Sequence, residues 1–209
     1  MTGGKGRAAA RTAHALLRHE VRALASIALW VARRTHGTRG GRPFGYARGQ
    51  GALLFGLGFV CVVETAGLAV LLRGWPVAHK VMLVVDGYAV LMVVGLHAAS
   101  VTRPHVLTPT VLRLRQAAQV DLSVPLERIT SVRRELRTTH GRADGVLDLP
   151  VGAQTSVTLE LTEPVTHVTL LGRRRSVGVV RVHADDADGF VRAVMRARTA
   201  PAPPADLPG

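Results

Sequence analysis

The chain has 209 residues, 47% hydrophobic and 4% aromatic, with 27 Lys and Arg against 14 Asp and Glu for a net charge of +13. That length holds about 50 membrane residues and one small globular domain of about 100. The basic excess does not point to nucleic acid, because no basic helix is interleaved with stacking aromatics. The single cysteine, Cys61, leaves no disulfide framework and no thiol–metal cluster.

The charge is unevenly placed: residues 1–50 carry +9, residues 51–100 carry zero and residues 101–209 carry +4. Residues 8–35 read as an amphipathic helix. Arg11, Arg18, Arg22 and Arg33 fall on one side of it, and Leu16, Leu17, Val21, Leu24, Ile27, Trp30 and Val31 on the other. This pattern suits a helix lying in the membrane interface, its arginines on anionic phospholipid headgroups, with packing on the protein's own cytoplasmic domain as the alternative. Lys5 and Arg7 are followed by Arg11, His14, Arg18, His19 and Glu20, which leaves no apolar region of a signal peptide. His36-Gly37 ends the helix, and residues 38–50, rich in Gly and Arg with Phe44 and Tyr46, read as a juxtamembrane loop.

Two apolar stretches follow, 52–72 and 77–99, joined by Arg73-Gly74-Trp75-Pro76. Each has the roughly 20 residues that a helix needs to cross a bilayer, and the short connection makes them a transmembrane hairpin. Arg33, Arg34, Arg39, Arg42 and Arg48 precede the first span and Arg103, Arg113 and Arg115 follow the second. The positive-inside rule then places both termini in the cytoplasm of an inner-membrane protein, with Trp75 at the outer interface.

Glu64 and Asp86 lie ten or eleven residues from the loop, at nearly the same depth of about 15–16 Å. A carboxylate there is costly and should face protein or water. On the second helix His79, Asp86 and His97 share one face, as a proton path would require. Two helices cannot enclose a pathway, so transport requires a homo-oligomer or a partner. Interhelical hydrogen bonding beside the small residues Gly67 and Gly87 is the structural alternative.

Beyond residue 100 the periodicity becomes that of strands. Strands are expected at 111–115, 120–125, 129–136, 145–149, 156–161, 165–171 and 177–183, with Glu163-Pro164 and residues 172–175 as breaks. Arg173, Arg174 and Arg175 fall in the latter turn, a candidate contact for anionic headgroups. A helix over 186–198 is expected to be capped by Asp185, with Asp188 as its capping-box partner. Its apolar stripe is Phe190, Val191, Val194 and Met195, and the four prolines of 199–209 suggest a disordered tail.

Three segments carry a resemblance: Arg103-Pro104-His105-Val106-Leu107-Thr108, Val124-Pro125-Leu126-Glu127-Arg128-Ile129-Thr130-Ser131-Val132, and Asp185-Asp186-Ala187-Asp188-Gly189-Phe190. With them residues 104–198 resemble a bacterial pleckstrin-homology-like (PH-like) domain. The whole chain resembles two-span integral membrane proteins of high-GC actinobacteria. The resemblance implies a curved antiparallel sheet, barrel or sandwich, closed by a C-terminal helix and used for assembly rather than catalysis, with no fixed catalytic residues.

The expected architecture is therefore a membrane α+β protein. An amphipathic helix and basic loop occupy 1–50, the hairpin 51–100, the PH-like domain 101–199 and the tail 200–209. No G-x-S-x-G, P-loop, Rossmann glycine pattern or H-E-x-x-H is present. The expected function is that of a non-catalytic scaffold for a protein partner at the membrane, without cofactor or metal. Proton or cation transport and anionic-lipid sensing are the alternatives.

Overall fold

A computed structural model describes residues 3–139, 141, 143–169 and 172–200. Within them the chain runs α1 (Gly3–Val31), β1 (Arg42–Phe44), α2 (Gln50–Leu71), α3 (Pro76–Thr102), β2 (His105–Leu107), β3 (Val111–Gln116) and β4 (Val120–Pro125). A 3-10 turn, Leu126–Arg128, leads to β5 (Ile129–Arg137), β6 (Val146–Leu149), β7 (Thr155–Val168), β8 (Arg174–Val182) and α4 (Ala187–Thr199). The tail expected to be disordered lies outside the described residues from Pro201 onward, as do His140 and the end of the expected strand at Leu170 and Leu171.

The helices α2 and α3 are long and apolar enough to cross a membrane, with mean hydropathy 2.1 and 2.0. Pro76 opens α3 at a position where its missing N–H costs nothing. Helix α2 buries none of its most apolar stretch within the chain and α3 only 11% of its own, so that Phe55 stays 80% and Val77 75% exposed.

Helix α1 departs from expectation. It runs beside α3 in the same direction rather than across its end. Tyr88 Oη donates to Glu20 Oε1 at 2.7 Å, Gly95 faces Ala23, Trp30 meets His97, and the His36 N–H donates to Thr102 O. The contact is made by small residues, with Ala23, Ser26, Gly95, Ala98 and Ala99 all buried. A Cβ on Gly95 would lie 3.3 Å from Ala23, so the backbones meet at a distance only small side chains permit. The large apolar residues Leu17, Val21, Leu24 and Val31 remain outward.

The strands form two four-stranded sheets, ordered β1-β2-β3-β4 and β5-β7-β8-β6, and neither closes into a barrel. Pairing is antiparallel except between β6 and β8, which are parallel, so the all-antiparallel expectation fails at one edge. Alternation places Leu112 and Leu114 inward and Arg113 outward on β3, and Val157 and Leu159 meet them from β7. The expected strands 156–161 and 165–171 are one strand, β7, that continues through Glu163-Pro164. A register shift between Glu160 and Val165 spares Pro164 from ladder pairing.

Helix α4 closes the core with Phe190, Ala193 and Val194, while Met195 is turned outward at 52% exposure. Its cap is Asp186, whose Oδ1 accepts from the Gly189 N–H at 2.8 Å. Asp185, the residue expected to cap it, is occupied elsewhere.

Candidate functional site

Strand β1 precedes the hairpin and β2 follows it, yet they pair: Arg42 with Leu107, Pro43 with Val106 and Phe44 with His105. The chain thus leaves the sheet, makes α2 and α3, and re-enters at the neighbouring strand. Residues 42–48, expected as loop, are built into the sheet domain. Phe44 packs edge-on against Phe190 at 5.1 Å between ring centroids, and Tyr46 stacks on His105 at 4.7 Å.

Polar groups fasten this seam from three sides. The Ala117 N–H, in the β3–β4 turn, donates to Tyr46 Oη at 2.7 Å, and burial pushes the Tyr46 phenol up to about 12. The Arg115 N–H donates to His105 Nδ1 at 3.1 Å, so the proton belongs on Nε2, which donates to His183 O at 3.0 Å. With both nitrogens engaged and the ring enclosed, burial pushes the His105 imidazole down to about 4 and keeps it neutral. The turn before α4 holds the third side: the Asp185 N–H donates to Gly45 O, and Asp185 Oδ1 accepts from the Arg48 N–H at 3.1 Å. A Cβ on Gly45 would stand 2.8 Å from Asp185 Oδ2.

Arg115 reaches from the sheet to the end of the helical stem. Its side chain is 3% exposed, and its guanidinium donates to His36 O at 2.8 Å and Gly37 O at 3.3 Å. Asp121 lies 3.6 Å from Arg115 and makes a two-pronged pair with Arg113 at 2.6 Å. Burial alone would raise the Asp121 carboxyl; the Arg113 hydrogen bond and the charges of Arg113 and Arg115 outweigh it and hold the group below its ordinary value. Gly37, with φ +65°, leaves room for the guanidinium, since a Cβ there would lie 2.6 Å from Arg115 Nη2. On the stem side Arg103 Nε donates to Ser26 Oγ at 3.4 Å.

The polar residues singled out within the apolar helices are not assembled into one site. Asp86 turns toward α2, where the Thr65 hydroxyl donates to its Oδ2 at 3.2 Å or to Cys61 O at 2.8 Å. Glu64 is exposed and, among the described residues, makes no hydrogen bond or ion pair. His97 turns toward α1, edge-on to Trp30 at 5.6 Å, with a buried Nδ1 that has no partner. His79 is half-buried one turn into α3, more than a turn from Asp86.

The arginines expected at headgroups are dispersed. The side chains of Arg11 and Arg18 lie outside those described, while Arg22 and Arg33 are exposed. Arg33 has φ +52° at the end of α1, where its N–H bonds Trp30 O and the Arg34 N–H bonds Leu29 O. That is a helix-ending motif in which glycine is usual, and a side chain there costs about 1–2 kcal/mol. Arg173, Arg174 and Arg175 are all exposed at the β7–β8 tip, with Arg174 opposite Val168 and Arg175 opposite His167.

Sequence reasoning missed β1 and the places of His105 and Arg115 in the seam. The only available signal was Phe44 and Tyr46 alternating between glycines in an otherwise basic loop. Compared with known proteins, the chain matches no family model, no curated protein and no solved structure, so geometry alone carries the functional reading.

Proposed function

We propose that the chain is a membrane-anchored interaction module without chemistry of its own: α2 and α3 cross the inner membrane, and the sheet domain, on the cytoplasmic side, presents a protein-binding surface. The expected cytoplasmic N-terminus does not fit α1, which runs parallel to α3 and so points its start away from the sheet domain. The observation that carries this reading is the pairing of β1 with β2 across the hairpin, which makes the helices an insertion in the sheet. A domain tied at both ends to a membrane hairpin is held at a fixed distance from the surface. Confinement of that kind raises the effective concentration of a weak binder near membrane partners. The two sheets capped by α4, together with the three resembling segments, support a PH-like fold of the bacterial type, with β1 and a parallel β6 as its own additions.

A suitable probe is β5, the edge strand of its sheet, where Leu136 is 66% exposed. Site-specific photo-cross-linking from position 136 in the full chain, in native membranes, should yield a discrete protein adduct that a probe at Trp75 does not. Identical adducts from both positions, or none from position 136, would count against an interaction domain. Proton flux that is lost with Glu64→Gln and Asp86→Asn would favour the transport reading instead.

A further inference from the structure

We propose that the crevice between α1 and α2, floored by α3, seats one acyl chain of an anionic phospholipid whose phosphate rests on Arg33 and Arg34. This rests on the membrane reading of the hairpin. Two hollows meet at Trp30. One, of about 340 Å³, is lined by Gly51, Leu54 and Gly58 of α2 and by Val93 and His97 of α3. That volume lies within the usual range of ligand pockets. The other opens at the end of α1 and is lined by Arg33, Arg34 and Thr35 with Val101. Trp30 lines both, so a polar mouth and an apolar channel adjoin through one side chain.

The dimensions suit a lipid. The apolar hollow extends along α2 from Gly51 to Cys61, about 15 Å at 1.5 Å per residue. That is half of a hydrocarbon core of about 30 Å, the depth of one leaflet. Its mouth lies at the end of the spans where Arg33 and Arg34 stand, the end at which an inner-leaflet headgroup would be found.

The charge suits an anionic lipid in particular. Neither Arg33 nor Arg34 pairs with a carboxylate among the described residues, so two guanidiniums face the mouth unneutralised. Arg33 is kept at a left-handed position that glycine would occupy without strain. The channel is also open down to the helix backbone, since a Cβ on Gly51 or Gly58 would meet nothing within 4 Å.

The test uses the full chain with Trp75→Phe, which leaves Trp30 as the only tryptophan, purified in mild detergent. Phosphatidylglycerol and phosphatidylcholine with identical chains are titrated while Trp30 emission and the melting midpoint are followed. Phosphatidylglycerol should bind about tenfold more tightly, as expected from two unpaired cations at a headgroup. Arg33→Gly with Arg34→Gln should abolish that preference without lowering the lipid-free midpoint, because glycine relaxes the turn. Gly58→Leu, which fills the channel and leaves the arginines, should abolish the Trp30 response to both lipids.

Equal binding of the two lipids, or a preference that survives both variants, would overturn the proposal. So would a response to glycerol phosphate alone equal to that of the lipid, which would indicate a free-phosphate site. Carbonate extraction of the source membranes separates the two readings: release of the chain would sink the membrane reading. Retention without phosphatidylglycerol preference would sink only the lipid site.

Discussion

In the sheet domain Leu112, Leu114, Val157, Leu159, Val180, Val182 and Phe190 are closed off from solvent, whereas on α2 Phe55, Phe59 and Val62 stand 80%, 64% and 67% exposed. Both regions are rich in apolar residues, but only the sheet domain buries them within the chain. The sheet domain gains its stability by removing apolar area from water, about 25 cal/mol per Å². The stem has no such core: α1 and α3 meet through Ala23, Ser26, Gly95 and Ala99, and α2 touches α3 through the Thr65–Asp86 hydrogen bond and apolar neighbours. Contacts of that type suffice in hydrocarbon, where close packing and interhelical hydrogen bonds replace the hydrophobic effect. The seam of Tyr46, His105 and Arg115 lies where the two regimes join and obeys the rules of the first, with the Tyr46 hydroxyl, both His105 nitrogens and the Arg115 guanidinium given partners.

This contrast can be broken from the domain side with the largest effect. Phe44→Ala should destabilise the sheet domain by about 3–5 kcal/mol, because it vacates the contact with Phe190 although it precedes the hairpin. Denaturant unfolding of the full chain followed at a sheet-domain probe measures this. For the same reason a fragment beginning at residue 101 lacks β1 and should not match the stability of the domain in the full chain.

Acid should loosen the seam next. The His105 imidazole is held at about 4 when folded against 6.5 as its ordinary value, so between those values the unfolded chain binds more protons than the folded one. Stability is therefore complete above pH 6.5 and falls as pH drops toward 4, by about 3 kcal/mol. His36, His167 and His183 are lowered by burial as well and act with the same sign. Unfolding midpoints across this range should fall with pH; a flat profile would show that His105 is not enclosed as described.

Tyr46→Phe should cost about 1–3 kcal/mol by leaving the Ala117 N–H without its acceptor. Faster hydrogen exchange confined to the β3–β4 turn is the signature to look for. From the stem side, Gly95→Val should cost about 1–3 kcal/mol by forcing α1 away from α3. Cross-linking between α1 and α3 should weaken while the unfolding of the sheet domain stays unchanged, which would sharpen the distinction between the two regimes.

What the sequence discloses follows the same division. The helical hairpin is legible because length and apolar composition alone specify it, and β3, β4 and β5 because alternation such as Leu112-Arg113-Leu114 marks one buried face. Strand β1 is not legible: Arg42-Pro43-Phe44 has no alternation of its own and its partner lies beyond the whole hairpin. Adjacent Asp185 and Asp186 offer equal caps, and only the place of Gly45 and Arg48 decides between them. Glu64 and Asp86 share a depth, which rise per residue predicts. Whether they face one another depends on how the two helices are rotated about their axes, and the structure turns Asp86 to Thr65 instead.

The most direct test of a membrane-mounted domain is sidedness. In a Cys61→Ala background, single cysteines at Trp75, Arg42 and Ser123 are exposed in turn to a membrane-impermeant maleimide in sealed cells, then after permeabilisation. The account predicts labelling at 75 in sealed cells, and at 42 and 123 only after permeabilisation. Labelling at all three positions from one side, or at 42 and 123 from opposite sides, would contradict it.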